Sequence, residues 1–386
     1  MPEIFTEEQR DFAASVRDFC RREVGTREQR DKLTDSGRHP HSLEINRKVA
    51  ELGWAAINFP EEFGGAGGSH VDLCILLEEL GRGLAPLPWL GTTLITGGIY
   101  HRFAHTELKK AVLGRIANGV ALSIAMSEPG AGSDVAALTC RAERTADGWV
   151  VNGQKTWCTN AHIADSILLV ARTTRGSKKH HGLTMFHVPA GTPGLTMNSI
   201  DTLNGPEVND LYFTDCELPG DAVVGEIDQG WGQLMAGLDT ERLILAAQML
   251  GTAERAFDDC LAFVKERTQF GQPVGTFQVL KHRIADLATE IECARLLVFD
   301  VADQADHPDR AVNLSRASSM AKLKATEVAK SMALEGMQMM GGYGYSTEFD
   351  MVQHVRTALG ATIYGGTNEI QRDIIGNSYG LKYRAV

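Results

Sequence analysis

No two of the seven cysteines (Cys20, Cys74, Cys140, Cys158, Cys216, Cys260, Cys293) stand in Cys-x-x-Cys spacing in this chain of 386 residues. Scattered and odd in number, they exclude a zinc ribbon or a disulfide framework and read as reduced thiols of a cytoplasmic protein. No stretch supplies the ~20 consecutive apolar residues that cross a bilayer. Positive charge is in deficit as well: 38 Lys and Arg face 49 Asp and Glu, a net charge of −11. With no basic tail to offset it, that balance excludes a nucleic-acid binder. The acidic start, Met1 to Glu8, carries no apolar run, so neither a signal nor a transit peptide is expected. Internal repeats and low-complexity segments are missing too.

What is present is ordinary for a globular protein, 43% hydrophobic and 23% charged residues, on a chain long enough for two or three domains. Thr6 and Gln9 form a capping box ahead of Phe12, Val16 and Phe19 at helical spacing. Helical patterning recurs at 42–53 and 71–83 and continues to about residue 117, predicting an all-helical domain over 1–119. The period then changes. Gly148–Val151 runs into Asn152-Gly153, the signal of a tight hairpin turn. Further β-type runs at 166–171, 183–188 and 210–213 predict an antiparallel β-barrel or sandwich over 120–230, the barrel being the choice carried forward. Long helical runs at 231–268, 276–305, 311–339 and 350–375 predict a four-helix bundle over 231–386. The class is α+β and multidomain.

The chemistry concentrates in Ala125-Met126-Ser127-Glu128-Pro129-Gly130-Ala131-Gly132-Ser133-Asp134. This glycine-rich loop leaves backbone N–H groups and the hydroxyls of Ser127 and Ser133 free for an anionic ligand, because glycine permits close approach. Downstream, Trp157 and Thr159 lie two apart, so an extended chain presents indole and hydroxyl on one side. A flat apolar face with hydroxyl donors beside a backbone nest suits an aromatic, phosphorylated cofactor. The common nucleotide fingerprints do not fit: Val135 stands where Gly-x-Gly-x-x-Gly needs its last glycine, and no Gly-Lys-Ser/Thr completes a P-loop.

The run from Trp231 places Leu234, Leu238, Leu245 and Met249 on one helical face, and Glu241 falls within that arc. A charge there is costly unless paired. Desolvation raises a carboxyl pKa toward neutrality, where a general base works best. The pattern leaves two readings open, a base or a structural carboxylate facing an arginine. The basic segment Arg172, Arg175, Lys178, Lys179, His180 and His181 reads as a solvated loop, with steering of an anionic ligand the alternative.

Further motifs follow in order: Arg267-Thr268-Gln269-Phe270-Gly271 with Gln278; Gln338-Met339-Met340-Gly341-Gly342-Tyr343-Gly344; and Tyr364-Gly365-Gly366-Thr367-Asn368-Glu369-Ile370-Gln371-Arg372. With the two upstream motifs, the chain resembles the acyl-CoA dehydrogenase family from about residue 5 to 380. The resemblance implies an FAD enzyme that removes α and β hydrogens from an acyl-CoA thioester and passes electrons to an electron-transfer flavoprotein. It implies that Met126, Ser127, Gly132, Ser133, Trp157 and Thr159 hold the flavin. Arg267, Phe270, Gln278, Gln338, Gly341 and Gly342 would hold the pyrophosphate and adenine end of a neighbouring subunit's FAD, in a homotetramer. Thr367 and Glu369 add FAD contacts. Ser133, Asp239, Arg242, Tyr364 and Gly365 fall on the substrate side.

Many members of the family carry the catalytic base in a late Tyr-Glu-Gly-Thr motif, but glycine occupies that place here, at 365. An isovaleryl-CoA and long-chain subset carries it instead in a sequence like Leu238-Asp239-Thr240-Glu241-Arg242-Leu243, which makes Glu241 the candidate. Arg356-Thr357 departs from the Arg-Asp pair common in the family. Two other readings share the fold: a flavin oxidase or monooxygenase of non-thioester substrates, and a non-catalytic partner subunit. Neither a metal nor a membrane is expected.

Overall fold

The computed structural model describes residues 5–381 except Trp89, Ser177, Pro308 and Ala311, so the first four residues of the acidic start lie outside it. Six helices come first: α1 (Glu7–Val24), α2 (Arg27–Thr34), α3 (Leu43–Glu51), α4 (His70–Arg82), α5 (Leu90–Phe103) and α6 (Thr106–Ala117). Eight strands follow: β1 (Leu122–Ala125), β2 (Arg141–Arg144), β3 (Gly148–Thr159), β4 (Ser166–Arg172), β5 (Leu183–Pro189), β6 (Leu195–Thr202), β7 (Gly205–Pro219) and β8 (Val223–Val224). Then come α7 (Gly230–Glu266), β9 (Thr268–Gln269), β10 (Gln272–Pro273), α8 (Gln278–Asp306), α9 (Leu314–Met340), α10 (Gly342–Tyr345), α11 (Met351–Ala361) and α12 (Asn368–Ser378). The chain forms two compact units, one of residues 31–68 and 86–238, the other of 1–30, 69–85 and 239–386.

In the first unit, Ser42 caps α3 by accepting from the Ile45 N–H, and α5 packs on α6 and β1. The sheet runs β6-β7-β3-β2-β4-β5-β8, with β1 beside β4. Its inward side chains form one core, including Trp149, Val151, Ile167, Leu169, Phe186, Leu211 and Phe213. Most pairs are antiparallel as predicted, but β1 and β2 run parallel to β4. Parallel neighbours need a long connection, and more than thirty residues separate β1 from β4, so no hairpin signal could announce that pairing.

Asn152-Gly153 is not a hairpin turn. Strand β3 continues straight through it, and the register against β7 shifts between Val151 and Gly153. The Asn152 side chain donates to Asp215 Oδ1 (3.1 Å) and accepts from the Asp215 N–H (2.9 Å), which anchors a bulge on β7. A Cβ at Gly153 would lie 2.7 Å from Cys140 Cα, so glycine serves close backbone approach here rather than a turn.

In the second unit the predicted capping box stands: the Thr6 side chain accepts from Gln9 N–H and the Gln9 side chain accepts from Thr6 N–H. Helix α1 packs on α4, α4 on α8, and α9 is flanked by α8, α11 and α12. The predicted single run 350–375 is two helices. Gly365 and Gly366, at φ +65° and +77°, break it between α11 and α12, because a left-handed pair cannot continue a right-handed helix.

Asp306, at the end of α8, caps α4 from outside: its carboxylate accepts from the N–H groups of His70 (2.8 Å) and Val71 (3.2 Å) and meets His70 Nδ1 at 2.7 Å. Burial pushes this carboxyl up, but those bonds outweigh it and hold the pKa below the ordinary aspartate range. The cap's contribution is therefore complete above that range and is lost as pH falls through the lowered folded-state pKa. Asp306→Ala is expected to lower stability by about 1 kcal/mol, a loss read as a lower urea midpoint at unchanged slope. An unmoved midpoint would remove the cap from the account.

Candidate functional site

The glycine-rich loop leaves β1 at Ala125 and is held by a buried ion pair that the sequence pattern did not single out. Lys155, on β3 and 0% exposed, donates from Nζ to Met126 O (2.9 Å) and Glu128 Oε1 (2.8 Å). Glu128 also accepts from Thr139 N–H (2.7 Å), Thr139 Oγ1 (2.8 Å) and Cys140 N–H (2.8 Å). Burial pushes the Glu128 carboxyl up, but Lys155 and these bonds hold it below the usual range. The Thr156 N–H donates to Ser127 O at 2.9 Å. The loop is thus stapled to β3 while the hydroxyls of Ser127, Ser133 and Thr159 bond to nothing among the described residues.

Beyond the staple, β3 does not run extended through Trp157. Its register against β7 shifts between Lys155 and Cys158, and Trp157 sits at φ +60°, left-handed backbone that a bulky residue holds only under constraint. The indole is 60% exposed. Gly130 and Gly132 face open space, with nothing within 4 Å of where a Cβ would be. An exposed indole, free hydroxyls and open loop backbone form a donor set that fits an aromatic cofactor with hydrogen-bonding edges, so the fit to a flavin stands on the residues present. The neighbouring basic loop is largely self-satisfied: Arg172 donates to the carbonyls of Ala136, Leu138, Lys179 and His181, and Lys179 pairs with Asp134 at 2.6 Å.

The other unit holds Glu241, partly buried on α7. Its side chain has no hydrogen-bond partner among the described residues. The adjacent Arg242 is turned to other groups, donating from Nη1 to Asp239 Oδ1 (2.6 Å) and Ser315 Oγ (3.2 Å). The structural-carboxylate reading needs a bonded partner for Glu241, and the geometry supplies none. Burial pushes its pKa up to about 7 against the pull of Arg242 and Lys322.

Opposite lies the turn between α11 and α12. A Cβ at Gly365 would stand 3.7 Å from Glu241 Oε1 and 2.2 Å from Leu245 Cδ1. Positions 241 and 365 therefore face the same space, and Tyr364 beside them is 44% exposed. Glu241, Asp239, Arg242, Tyr364 and Gly365 belong to one local site.

The remaining predicted residues lie elsewhere in this unit. Phe270, at φ +52° and 94% exposed, tops the β9–β10 hairpin, and Arg267 lies over the Tyr343 ring at 5.2 Å, beside exposed Gly341 and Gly342. The side-chain amides of Gln278 and Gln338 are exposed and have no partner among the described residues. The Thr367 hydroxyl caps α12 by accepting from Ile370 N–H (3.3 Å), and the Glu369 side chain is 79% exposed. Lys322 was missed: a lysine among Ser318, Ser319, Ala321 and Ala325 on α9, it is fully buried. Its place on the small, inward face of the 311–339 run was the available signal.

Three family profiles match in order: the acyl-CoA dehydrogenase N-terminal domain over residues 6–120, the middle domain over 123–216 and the C-terminal domain over 228–380. The chain is 33% identical to the mitochondrial isovaleryl-CoA dehydrogenase of Solanum tuberosum, covering 97% of this chain and 90% of that protein. It is 32% identical to the caffeyl-CoA reductase–Etf complex subunit CarC of Acetobacterium woodii, covering 96% and 98%. Among solved structures, the FAD complex of PigA superposes with a TM-score of 0.91 at 27% identity, covering 99% and 100%.

Proposed function

Because the chain belongs to the acyl-CoA dehydrogenase family of FAD-dependent oxidoreductases, we propose that it dehydrogenates an acyl-CoA thioester between Cα and Cβ, with Glu241 as the α-proton base. The observation that carries this reading is the unbonded Glu241 carboxylate facing the glycine at 365. An alkanoyl α-proton is weakly acidic, so the base must be desolvated, correctly aimed and ionised near neutrality. Burial of Glu241 meets the first requirement, and a pKa of about 7 leaves it both ionisable and basic at neutral pH. Glu241 takes the α-proton as the Cα–Cβ double bond forms. When bound, FAD would supply the acceptor for the β-hydrogen and its electron pair.

Ser127, Trp157 and Thr159 would hold the flavin ring system, and Met126, Gly132 and Ser133 would lie along it. Arg267, Phe270, Gln278, Gln338, Gly341, Gly342, Thr367 and Glu369 would serve its far end. We assign those exposed hairpin residues to a second copy's cofactor, making the protein a homo-oligomer, with four copies our reading. An electron-transfer flavoprotein is the proposed acceptor, supported by the Etf complex to which the Acetobacterium relative belongs. A reducing, cytoplasmic setting suits seven cysteines that are all free thiols.

The purified protein is expected to be yellow and larger than a monomer, and a saturated acyl-CoA should bleach its flavin anaerobically while the free acid or an amine does not. A panel of acyl-CoA esters of varied length and branching, followed by absorbance, reads this directly. Bleaching by amines or nitroalkanes with the whole acyl-CoA panel inert would replace the proposal with an oxidase of the same fold.

A further inference from the structure

We propose that Lys322 is a positioning residue for the Glu241 carboxylate: its buried ammonium fixes the turn that faces Glu241 and, alongside Arg242, adds positive charge that favours the ionised carboxylate. The inference rests on Glu241 being the base.

The turn needs a latch. Gly365 and Gly366 both adopt positive φ, and glycine pairs leave the unfolded chain many alternatives. Lys322 Nζ donates to Gly366 O and to Asn368 Oδ1, both at 3.0 Å. Asn368, itself buried, accepts a second bond at Oδ1 from Thr326 Oγ1 (3.1 Å) and donates from Nδ2 to Glu327 Oε1 (2.9 Å). Gln371 Nε2 closes the other side by donating to Gly365 O and Gly366 O, each at 3.0 Å. Every polar contact in this cluster bears on the segment whose Gly365 lies against Glu241.

The charge has a second consequence. Both bonded acceptors of Lys322 are neutral, so a fully buried ammonium lacks a bonded carboxylate, a costly arrangement unless a counter-charge sits nearby. Burial lowers its pKa to about 8, against stabilisation by Glu241 first, then Glu369 and Glu327, with Arg242 opposing. Glu327 is already engaged with Lys330 (3.1 Å) and Asn368, and Glu369 is exposed and screened by water. Arg242 is bonded to Asp239 and Ser315. Glu241, partly buried, and Lys322, fully buried, therefore stand on either side of this turn, neither bonded to a group of opposite sign among the described residues. Burial leaves Lys322 titrating at about 8 and Glu241 at about 7, so most of the ammonium is still present as the carboxylate begins to ionise.

The test uses FAD-loaded protein carrying Lys322→Met, Lys322→Gln or Lys322→Arg. Glu241 ionisation is followed without substrate, by infrared difference spectra against the same protein with Glu241→Gln added. The carboxyl midpoint is expected to rise by about one pH unit in the Met and Gln variants and to stay at the wild-type value in Lys322→Arg. Flavin reduction by acyl-CoA should then fall about tenfold at pH 6 and recover toward wild type by about pH 9.

Lys322→Gln keeps a donor for Gly366 O without the charge, so it decides the matter if Lys322→Met does not fold. A rate loss equal at all pH values with an unmoved Glu241 midpoint would reduce Lys322 to a structural residue and overturn the proposal. A moved midpoint in a protein whose Glu241→Gln variant is fully active would show that Lys322 couples to Glu241 but remove Glu241 as the base, so failure of the base assignment is read apart from failure of the coupling.

Discussion

Glu241→Gln is expected to keep the fold and the FAD while flavin reduction by acyl-CoA slows by about 10²–10⁴-fold, the range for loss of a general base. Glutamine preserves volume, and no bond is broken, because the Glu241 carboxylate has no hydrogen-bond partner among the described residues. The neighbouring Arg242–Asp239 pair is untouched. Wild-type rates in this variant would rule the assignment out. The same geometry bears on moving the base across the pocket. Glu241→Gly with Gly365→Glu places a carboxylate on the opposite wall, but a Cβ at 365 collides with Leu245 Cδ1 and sits at φ +65°. Partial recovery of activity, favouring straighter acyl chains, is therefore expected only when Leu245→Ala is added to make room.

The second large effect is expected at Lys155. Lys155→Met strands the buried Glu128 carboxylate, and removing one partner of such a pair typically costs about 3–5 kcal/mol. The loss should be read as a lower urea midpoint. The loop at Met126–Ser127 also loses its staple, so FAD retained per protein, measured by absorbance after gel filtration, should fall. Glu128→Gln in the same chain should restore part of the stability, since it removes the uncompensated charge while keeping acceptor and donor capacity. A change in midpoint worth less than about 1 kcal/mol on Lys155→Met would show that the pair does not hold the loop.

How much of this could be read beforehand differs by element. Helices with local signals were plain: the Thr6–Gln9 box and the apolar spacing behind it act within one turn. The Asn152-Gly153 pair misled because the same dipeptide serves a tight turn or a close approach, and only the distant Cys140 and Asp215 decide which. The break at Gly365-Gly366 was hidden by helical periodicity on both sides, although the glycine pair itself was in view and only its left-handed backbone was not. Glu241 was legible because a carboxylate within an apolar arc violates the pattern. Lys155 and Lys322 violate it equally, but a lysine's long apolar stem makes its burial easy to discount in a one-dimensional reading. Trp157 was noticed for its ring, whereas the strained backbone that exposes it depends on a register shift against β7.

The central claim, that a single carboxylate on α7 takes the α-proton, is tested most directly by the pH dependence of the first anaerobic turnover. A base works ionised, and burial has raised this one to about 7. The wild-type rate of flavin reduction should therefore climb about tenfold per pH unit below neutrality and level off above about pH 8. In Glu241→Gln the small residual rate should lack that limb. A wild-type profile flat from about pH 5.5 to 8.5, or a limb near 7 that survives in Glu241→Gln, would contradict the account.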